Sequence, residues 1–299
     1  MANRRVSEAW VARWREALLL PGEADLVLSS LRELAEYFGM SPAEARRACE
    51  GALADSKREW NAAARQTPDQ VVDFYDNTQS YIFEHIWWHA VNAEKNSANV
   101  VIANYALQSG ASAYLDFGSG VGANGILFAR HGFSVTLADV SRTMLDFARW
   151  RFERRGLQAE YVYLREEPLP GGRFDIVTAV DVFEHLLTPA TEIRQIAAAL
   201  KVGGVMVFNI CAGADPERPM HILKTKYPVL RALRRHGFRY ARSGVTSLRR
   251  LGYHAVERGS QPPKWDLAWG LYDRLRYGHV AEAARRLPKN LFAPRSRRH

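Results

Sequence analysis

The sequence predicts an α/β fold, in which a sheet of parallel strands carries helices on both faces and follows an α-helical N-terminal cap. Residues 7–64 place apolar side chains at helical spacing. Residues 114–139 then have the pattern of an apolar strand, a glycine-rich turn, a helix and a second strand that ends on an acid. From there to about residue 210, strands and helices alternate, which is typical of a sheet built from parallel strands.

The N-terminal cap is predicted to begin with three helices. The first ends before Pro21 and the second ends at Gly39. Ser41-Pro-Ala-Glu44 is a capping box with proline at the first helical position, so the third helix begins there. Residues 31–50 loosely resemble a helix-turn-helix that reads DNA, but the charge of this region is nearly balanced. We therefore expect no DNA binding and prefer a helical cap or a homodimer element.

An aromatic-rich helix is predicted over residues 68–90. Thr67-Pro-Asp-Gln70 supplies a second capping signature with proline at the first helical position. Aromatic faces can stabilise a cation and exclude water from a reaction, although ordinary packing explains most such side chains. We select Tyr75 and Tyr81 as candidate contacts of a lid over a bound ligand. The aromatic and histidine side chains of this helix are Phe74, Tyr75, Tyr81, Phe83, His85, Trp87, Trp88 and His89.

The remaining elements follow from apolar runs and their glycine or proline boundaries. Helices are predicted over residues 96–108, 124–130, 142–155, 188–200 and 227–236. Strands are predicted over residues 114–117, 133–138, 159–164, 174–180 and 205–210 and from residue 238, and residues 244–258 are weakly strand-like. A basic amphipathic helix is expected over residues 264–287, before a disordered tail at 293–299. The predicted regions are a helical cap or lid over residues 1–95, a ligand-binding domain over 96–258 and a basic C-terminal region over 259–299.

The glycine-rich turn fits two classes of nucleotide-like ligand. Gly120-Val-Gly-Ala-Asn-Gly125 is a G-x-G-x-x-G, and Asp139 follows at the spacing of an acid that binds a ribose hydroxyl. A dinucleotide-dependent oxidoreductase is therefore one interpretation. Asp116 is evidence against this interpretation, because a carboxylate beside the turn would repel a pyrophosphate. S-adenosylmethionine has no phosphate and carries a cationic sulfonium and ammonium, so it suits Asp116 and is the preferred cofactor.

Four motifs, in order and at normal spacing, resemble those of class I S-adenosylmethionine-dependent methyltransferases. They are Asp-Phe-Gly-Ser-Gly-Val-Gly at 116–122, Asp-Val-Ser-Arg-Thr-Met at 139–144, the run 174–185, and the turn and strand over 200–208. Within the third motif, Asp-Val-Phe-Glu-His at 181–185 is similar to small-molecule O-methyltransferases of quinone biosynthesis. The resemblance covers roughly residues 100–240 and implies a Rossmann-like class I methyltransferase sheet with helices on both faces.

The resemblance also implies a set of cofactor-binding residues. Asp139 would hold the ribose hydroxyls, and a side chain of the segment after it would pack on adenine. The family commonly has an Asp after the third strand, where this chain has Arg165-Glu-Glu167, so Glu166 is the substitute. The predicted cofactor-binding residues are Asp116, Gly118, Ser119, Gly120, Asp139, Val140, Met144, Glu166 and Asp181, with Tyr75 and Tyr81 from the aromatic helix.

Methyl transfer from a sulfonium is an in-line displacement, so the protein contributes alignment, a dry pocket and, for some acceptors, removal of a proton. Alignment alone can lower the barrier by roughly 7–11 kcal/mol. His185 and Glu184 are the predicted catalytic residues, and His185 is the preferred base because imidazole titrates near neutral pH. A structural hydrogen bond is the alternative role for His185. The adjacent Glu184 and His185 are weak evidence for a metal site, and no metal is predicted.

Composition limits the remaining functional classes. The sequence has no run of 18 apolar residues and no secretory signal, so stable membrane insertion is not expected. Cys49 and Cys211 have no metal-ligand spacing, which favours a reduced, cytoplasmic location. Residues 220–299 hold 19 Lys and Arg against 4 Asp and Glu, a net charge of +15, which leaves −6 for residues 1–219. A solvated basic face, an anionic substrate, a carrier protein, a membrane surface or RNA would each fit this charge.

The preferred function is methyl transfer from S-adenosylmethionine to an oxygen or nitrogen of a small aromatic or secondary-metabolite acceptor. The basic C-terminal region is compatible with an anionic acceptor. Three alternatives stay open. An RNA methyltransferase would use the basic C-terminal region, although no Asn-Pro-Pro-Tyr-like run follows the fourth strand. A non-catalytic methyltransferase-like binding protein would keep the fold, and a dinucleotide-dependent oxidoreductase would keep the glycine turn.

Overall fold

A computed structural model describes residues 7–213, 215–241 and 243–260 of the 299-residue chain. The predicted helix over 264–287 and the predicted tail lie outside the described residues. The helices of the described part are α1 (Glu8–Leu18), α2 (Leu26–Phe38), α3 (Pro42–Ala62), α4 (Pro68–Asn77), α5 (Ser80–Val91), α6 (Ala93–Asn96), α7 (Ala98–Gln108), α8 (Ala123–Arg130), α9 (Arg142–Arg154), α10 (Pro189–Ala199), α11 (Tyr227–Arg235) and α12 (Thr246–Arg250). The strands are β1 (Ala113–Phe117), β2 (Ser134–Asp139), β3 (Glu160–Tyr163), β4 (Phe174–Ala179), β5 (Leu200–Phe208), β6 (Phe238–Tyr240) and β7 (His254–Arg258).

The strands form one mixed sheet in the order β3-β2-β1-β4-β5-β7-β6. The first five strands along the chain pair in parallel, whereas β7 is antiparallel to β5 and to β6. The chain builds outward from β1 to β3 and then crosses back to place β4 on the other side of β1. Ligands of open α/β sheets bind outside the carboxyl ends of the strands where the order reverses, which here is the crevice between β1 and β4. The predicted α/β fold is confirmed.

Helices cover both faces of the central strand β1. Tyr114 packs with α1, α7 and α8 on one face. Leu115 and Phe117 pack with α10 and α11 on the other. A parallel strand that is buried on both faces is expected to be apolar along its length. Asp116, in the middle of this buried strand, is therefore a departure from the packing rule and marks the region near it as functional.

Helices α1 to α6 form the N-terminal cap. α2, α3 and α5 pack on one another, and their shared core includes Leu34, Trp60 and Ile82. α1 packs instead on α7 and α8, where Trp14 joins the core beneath one face of the sheet. The boundary expected at residue 95 stays a prediction, since apolar clusters run across it.

A buried group of charges joins the cap to the sheet. Glu33 of α2 accepts hydrogen bonds from Nε and Nη2 of Arg151, both at 3.2 Å, and from Arg155. All three side chains are almost fully buried. Arg151 also donates to the carbonyl of Val121 in the glycine turn at 2.7 Å. One buried arginine therefore connects the cap directly to the turn.

The aromatic helix predicted over residues 68–90 is broken into α4 and α5. Thr78 lies between them in an extended conformation. The hydroxyl groups of Thr78 and Ser80 both donate to the carboxylate of Glu59 in α3. Hydroxyl side chains that bond outside the helix compete with its backbone pattern, so the break follows from a contact with another helix.

Two further expectations differ from the structure. β5 begins at Leu200 rather than at residue 205, because its first residues already pair with β4 across an irregularity in the register. The weakly strand-like segment over 244–258 contains the short helix α12 before β7. None of the helices in the described ranges combines the length and the apolar character that crossing a membrane would require.

Candidate active site

The glycine turn lies between β1 and α8, at the crevice. The N–H of Gly118 donates to the carbonyl of Ala138 at 2.8 Å. Gly118 has a φ of +69°, and a Cβ there would lie 2.6 Å from a methyl group of Val182. Gly120 has a φ of +51°, and a Cβ there would lie 2.9 Å from Nδ1 of His85. Both positions favour glycine, because the turn closely approaches the segment after β4 and a helix of the cap.

Asp139, at the end of β2, is held against this turn. Its Oδ2 accepts the N–H of Gly120 at 2.7 Å, and its Oδ1 accepts the N–H of Ser141 at 2.9 Å. Burial raises the pKa of Asp139, and these backbone hydrogen bonds oppose the rise. Each carboxylate oxygen can accept a further hydrogen bond. The geometry therefore leaves Asp139 able to accept from a ribose hydroxyl while its orientation is fixed.

Asp116 is a buried carboxyl beneath the turn. The hydroxyl of Thr178 donates to its Oδ1 at 2.8 Å, whereas Oδ2 makes no hydrogen bond of normal geometry with the described residues. Burial raises the pKa of Asp116 to about 7, and hydrogen bonds from Thr178 and Tyr114 oppose the rise. A cation nearby would lower this pKa and favour the carboxylate, whereas an anion would do the opposite.

Asp181, in the segment after β4, has a strained backbone. Its φ of +53° is the one positive value at a non-glycine residue in the described ranges. The N–H of Asp181 donates to Oδ1 of Asn209 at 2.7 Å, and the Asn209 amide donates to the Asp181 carboxylate. Strained residues of this kind concentrate at functional sites. The reciprocal bonds fix Asp181 at the carboxyl ends of β4 and β5, and sequence reasoning missed the part played by Asn209.

Glu184, one of the two predicted catalytic residues, lies in a short 3-10 helix over Phe183–His185. Its side chain is fully buried. Burial and the nearby Asp181 raise the pKa of Glu184 to about 7. Neither carboxylate oxygen makes a hydrogen bond of normal geometry with the described residues, although the thiol of Cys211 is close enough to lower that pKa. Glu184 is therefore a buried acid whose negative charge, when it is ionised, has few compensating contacts.

His185, the other predicted catalytic residue, contacts the cap. Its Nδ1 lies 2.9 Å from the hydroxyl of Tyr75. Its ring centroid is 5.7 Å from that of Tyr75 and 5.0 Å from that of His221, both edge-on. Burial and the neighbouring His221 lower the pKa of His185 to about 3. Because a base of such low pKa takes up a proton weakly near neutral pH, these contacts favour an orienting role, and catalysis by His185 stays a prediction.

Rings from α4 and α5 lie over the crevice. The ring centroids of Tyr75 and Tyr81 are 5.5 Å apart, and those of Tyr81 and His85 are 5.3 Å apart. His85 in turn lies against Gly120. The two tyrosines that the sequence predicts as lid contacts are thus brought between His185 and the glycine turn.

Asp76 of α4 is an acid at this site that sequence reasoning missed. Its Oδ1 accepts the N–H of Arg142 at 2.8 Å, and its Oδ2 accepts the hydroxyl of Tyr163 at 2.6 Å. Tyr163 is paired with Asp139 across β3 and β2. Glu166, the predicted substitute acid, instead forms a salt bridge with Arg142 and is 64% exposed. The only signal for Asp76 in the sequence is its place beside Tyr75 in the aromatic helix.

The other predicted cofactor residues differ in burial. Val140 is half-buried at the end of β2. Met144 is buried in a core shared with the cap, together with Val121 of the glycine turn. The hydroxyl of Ser119 is buried without a hydrogen-bond partner in the described residues. No group of three or more His, Cys, Asp or Glu side chains suited to a metal ion occurs in the part of the chain that the structure describes.

Comparison with known proteins agrees with this geometry. A family model described as a methyltransferase domain matches residues 87–252, which is more than half of the chain. A ubiquinone biosynthesis O-methyltransferase of Xanthomonas axonopodis pv. citri is 32% identical over 131 residues, which cover 41% of this chain and 55% of that protein. A ubiquinone biosynthesis O-methyltransferase of Coxiella burnetii is 35% identical over 97 residues, which cover 32% of this chain and 42% of that protein.

The chain thus spans about half the length of the curated relatives it matches. Among solved structures, magnesium protoporphyrin IX methyltransferase from Synechocystis PCC 6803 with bound S-adenosylmethionine aligns with a TM-score of 0.50 at 20% identity. The alignment covers 66% of this chain and 99% of that one, which shows a shared fold. The family expected from the four motifs is confirmed, and this chain belongs to the methyltransferase-domain family with the class I α/β fold.

Proposed function

We propose that the protein transfers a methyl group from S-adenosylmethionine to an oxygen or nitrogen of a small-molecule acceptor. The observation that carries the proposal is the 2.7 Å hydrogen bond between the N–H of Gly120 and the carboxylate of Asp139, at the crevice between β1 and β4. This contact joins a glycine-rich turn to an acid that can accept from ribose hydroxyls. Oxygen is the favoured acceptor atom, because both curated relatives are named as O-methyltransferases of ubiquinone biosynthesis.

The residues at the crevice fit this cofactor better than a dinucleotide. Asp139 keeps acceptor capacity beyond its two backbone hydrogen bonds. Asp116 has a buried oxygen without a normal hydrogen bond, and a sulfonium or ammonium nearby would stabilise its ionised form. A pyrophosphate at the same place would be repelled by that carboxylate. The oxidoreductase alternative is therefore not favoured.

When bound, S-adenosylmethionine supplies an electrophilic methyl group; the new bond to the acceptor forms as the carbon–sulfur bond breaks, and the electron pair stays on sulfur. For a hydroxyl acceptor the proton must also leave. We assign to Tyr75 and Tyr81 the exclusion of water above the acceptor. His185 and Glu184 are proposed to bound the acceptor site, with His185 oriented by Tyr75.

His221 is the proposed recipient of the acceptor proton. It is half-buried, in contrast to Glu184, and its ring is edge-on to that of His185. Burial and Arg218 lower the pKa of His221, while Asp181 and Asp215 oppose the fall. A partly accessible imidazole with nearby carboxylates is better suited than His185 to take up a proton near neutral pH.

Location and assembly are also proposals. Cys49 and Cys211 are free in the described structure, which supports a reducing, cytoplasmic location. The N-terminal helices are proposed to form a homodimer contact, since Leu28 of α2 and Leu53 of α3 are 58% and 46% exposed. Residues 1–95 would then serve both as the lid and as the contact between copies.

Calorimetry with S-adenosylmethionine, S-adenosylhomocysteine and NADH tests the cofactor. We expect both adenosyl compounds to bind and NADH not to bind; binding of NADH alone would overturn the proposal. Formation of S-adenosylhomocysteine with a panel of hydroxylated aromatic acceptors and metabolite extracts then tests the reaction. Cofactor binding without any methylated product would favour a non-catalytic binding protein. Salt-dependent RNA methylation that is lost on deleting residues 260–299 would favour the RNA alternative.

A further inference from the structure

A cavity of about 440 Å³ opens beside the candidate active site. Its wall includes Cys211, Asp215, Arg218, His221 and Lys226, all from the segment between β5 and α11. This segment begins next to Asn209, the residue that fixes Asp181 after β4. The cavity therefore lies by the carboxyl ends of β4 and β5, on the side of the crevice away from Asp139.

His221 joins the cavity to the candidate active site. Its ring centroid is 5.0 Å from that of His185. The next residue, Ile222, donates its N–H to the carbonyl of Glu184 at 2.8 Å. His185 in turn contacts Tyr75 of the lid. A molecule in the cavity would thus have one end beside the residues that are proposed to surround the transferred methyl group.

The charged side chains of the cavity wall are mainly cationic. Neither Arg218 nor Lys226 forms a salt bridge with a carboxylate of the described residues. The carboxylate of Asp215 accepts the backbone N–H of Glu217 at 3.0 Å. The side chain of Glu217 is already paired with Lys57 of α3 at 2.9 Å. Two cations therefore face the cavity against one carboxylate, that of Asp215.

Arg218 is also held in place. Its N–H donates to the carbonyl of Asp215 at 3.0 Å, and its carbonyl accepts the N–H of His221 at 2.9 Å. Its guanidinium carbon lies 5.9 Å from the ring centroid of Trp88 in α5. A cation that is fixed by a turn and by an aromatic face loses less conformational freedom when it binds an anion. A freely solvated surface arginine has neither restraint.

We propose that this cavity binds an anionic group of the methyl acceptor, a carboxylate or a phosphate, through Arg218 and Lys226. The inference rests on the proposed function, because it names the class of its substrate. The guanidinium of Arg218 offers paired N–H donors that match carboxylate and phosphate geometry, and Lys226 adds a compact charge. The acceptor hydroxyl then lies toward His221, at the inner end of the cavity.

The test is calorimetry on the full chain saturated with S-adenosylhomocysteine, in a buffer of physiological ionic strength. Three probes of similar size are compared: dihydroxybenzoate, dihydroxyphenyl phosphate and the neutral dihydroxybenzamide. We expect at least one anionic probe to bind about tenfold or more tightly than the amide, as for a charged hydrogen bond that the amide cannot make. The two anionic probes distinguish a carboxylate site from a phosphate site.

Arg218→Gln and Lys226→Gln are each expected to remove most of this preference. Lys224→Gln, an exposed lysine of the same segment outside the cavity wall, is the matched control and should keep it. Circular dichroism and thermal melting verify that each variant is folded. The salt dependence of probe binding to the wild type gives a second measure of the electrostatic contribution, and it needs no variant.

Equal affinity for all three probes would overturn the inference, as would a preference that survives in the Arg218→Gln Lys226→Gln double variant. If S-adenosylhomocysteine binds and the anionic preference is missing, the inference fails and the proposed function stands. If S-adenosylhomocysteine itself does not bind, the proposed function fails and the inference fails with it.

Discussion

The hydroxyl of Tyr75 in α4 lies 2.9 Å from Nδ1 of His185 in the turn after β4. Burial raises the pKa of Tyr75 well above its usual range. Burial and the neighbouring His221 lower the pKa of His185 to about 3. Near neutral pH the phenol therefore keeps its proton and the imidazole is uncharged, so the two groups share one neutral hydrogen bond whose direction depends on the tautomer of His185. The cap thus holds the orientation of a residue at the candidate active site.

Replacement of Tyr75 by phenylalanine keeps the ring and removes the hydroxyl that pairs with Nδ1. Leaving a buried polar group unpaired costs about 1–3 kcal/mol, so we expect the free energy of unfolding to fall by that amount. We also expect kcat to fall by roughly ten- to a hundredfold, because the imidazole is no longer oriented. Urea unfolding and steady-state kinetics measure the two effects. Tyr37→Phe in α2 is the control, and a Tyr75→Phe enzyme with unchanged kcat would show that the orientation of His185 is irrelevant to transfer.

Asp139→Ala is expected to weaken the binding of S-adenosylhomocysteine strongly. The substitution removes both the proposed acceptor for ribose hydroxyls and the partner of the Gly120 N–H. Hydrogen bonds to charged groups contribute about 1.5–3 kcal/mol, so the dissociation constant should rise by roughly ten- to a hundredfold. Calorimetry measures it, with Asp146→Ala on the exposed side of α9 as the control. Unchanged affinity would mean that the ribose lies elsewhere.

Glu33 and Glu36 on α2 give a matched test of the buried charges. Glu33 is enclosed with Arg151 and Arg155, and removal of one partner from such a group destabilises a protein by about 3–5 kcal/mol. Glu36 forms a salt bridge with Arg154 at 2.8 Å, but both side chains are more than a third exposed, and such pairs contribute about 0–1 kcal/mol. We therefore expect Glu33→Ala to lower the urea midpoint markedly and Glu36→Ala to change it little. Similar midpoints for the two variants would contradict this account.

The elements that the sequence predicted are those with local causes. The capping boxes at Ser41 and Thr67 are present as expected, because each needs only a residue three positions away. The glycine turn and Asp139 were predictable for a related reason: both lie within one strand-turn-helix-strand unit, whose parts are close in the chain. Sequence spacing is therefore sufficient to predict contacts between residues that are close together in the chain.

The parts that the sequence did not predict depend on contacts between distant segments. Thr78 breaks the aromatic helix because it bonds to Glu59, and a helical pattern alone contains no sign of that partner. Asp76 reaches Tyr163, 87 residues away, and Arg218 reaches Trp88 in the cap. The pKa of His185 could not be predicted either, since burial rather than residue type determines it.

Glu184 predicts a change of stability with pH. Burial and Asp181 raise its pKa to about 7, from a usual value of 4.5. The folded state therefore binds this proton more tightly than the unfolded chain does. The resulting stabilisation is present in full below the unfolded pKa and is lost as the pH rises through the folded pKa. A pKa difference of this size between the folded and unfolded states corresponds to roughly 3 kcal/mol in the free energy of unfolding. Asp116, with its pKa raised to about 7, acts in the same direction.

Glu184→Gln isolates this contribution, because glutamine has nearly the same shape as protonated glutamate and cannot ionise. At about pH 4, below the usual pKa of 4.5, we expect the variant and the wild type to have similar free energies of unfolding, since Glu184 is then mainly protonated in the folded and the unfolded state. Near about pH 8 the wild type must hold a buried charge, so the variant should be the more stable by up to about 3 kcal/mol. Urea unfolding at the two pH values measures the difference, with the exposed Glu167→Gln as the control. A stability difference that is the same at both pH values would show that Glu184 does not titrate in this window.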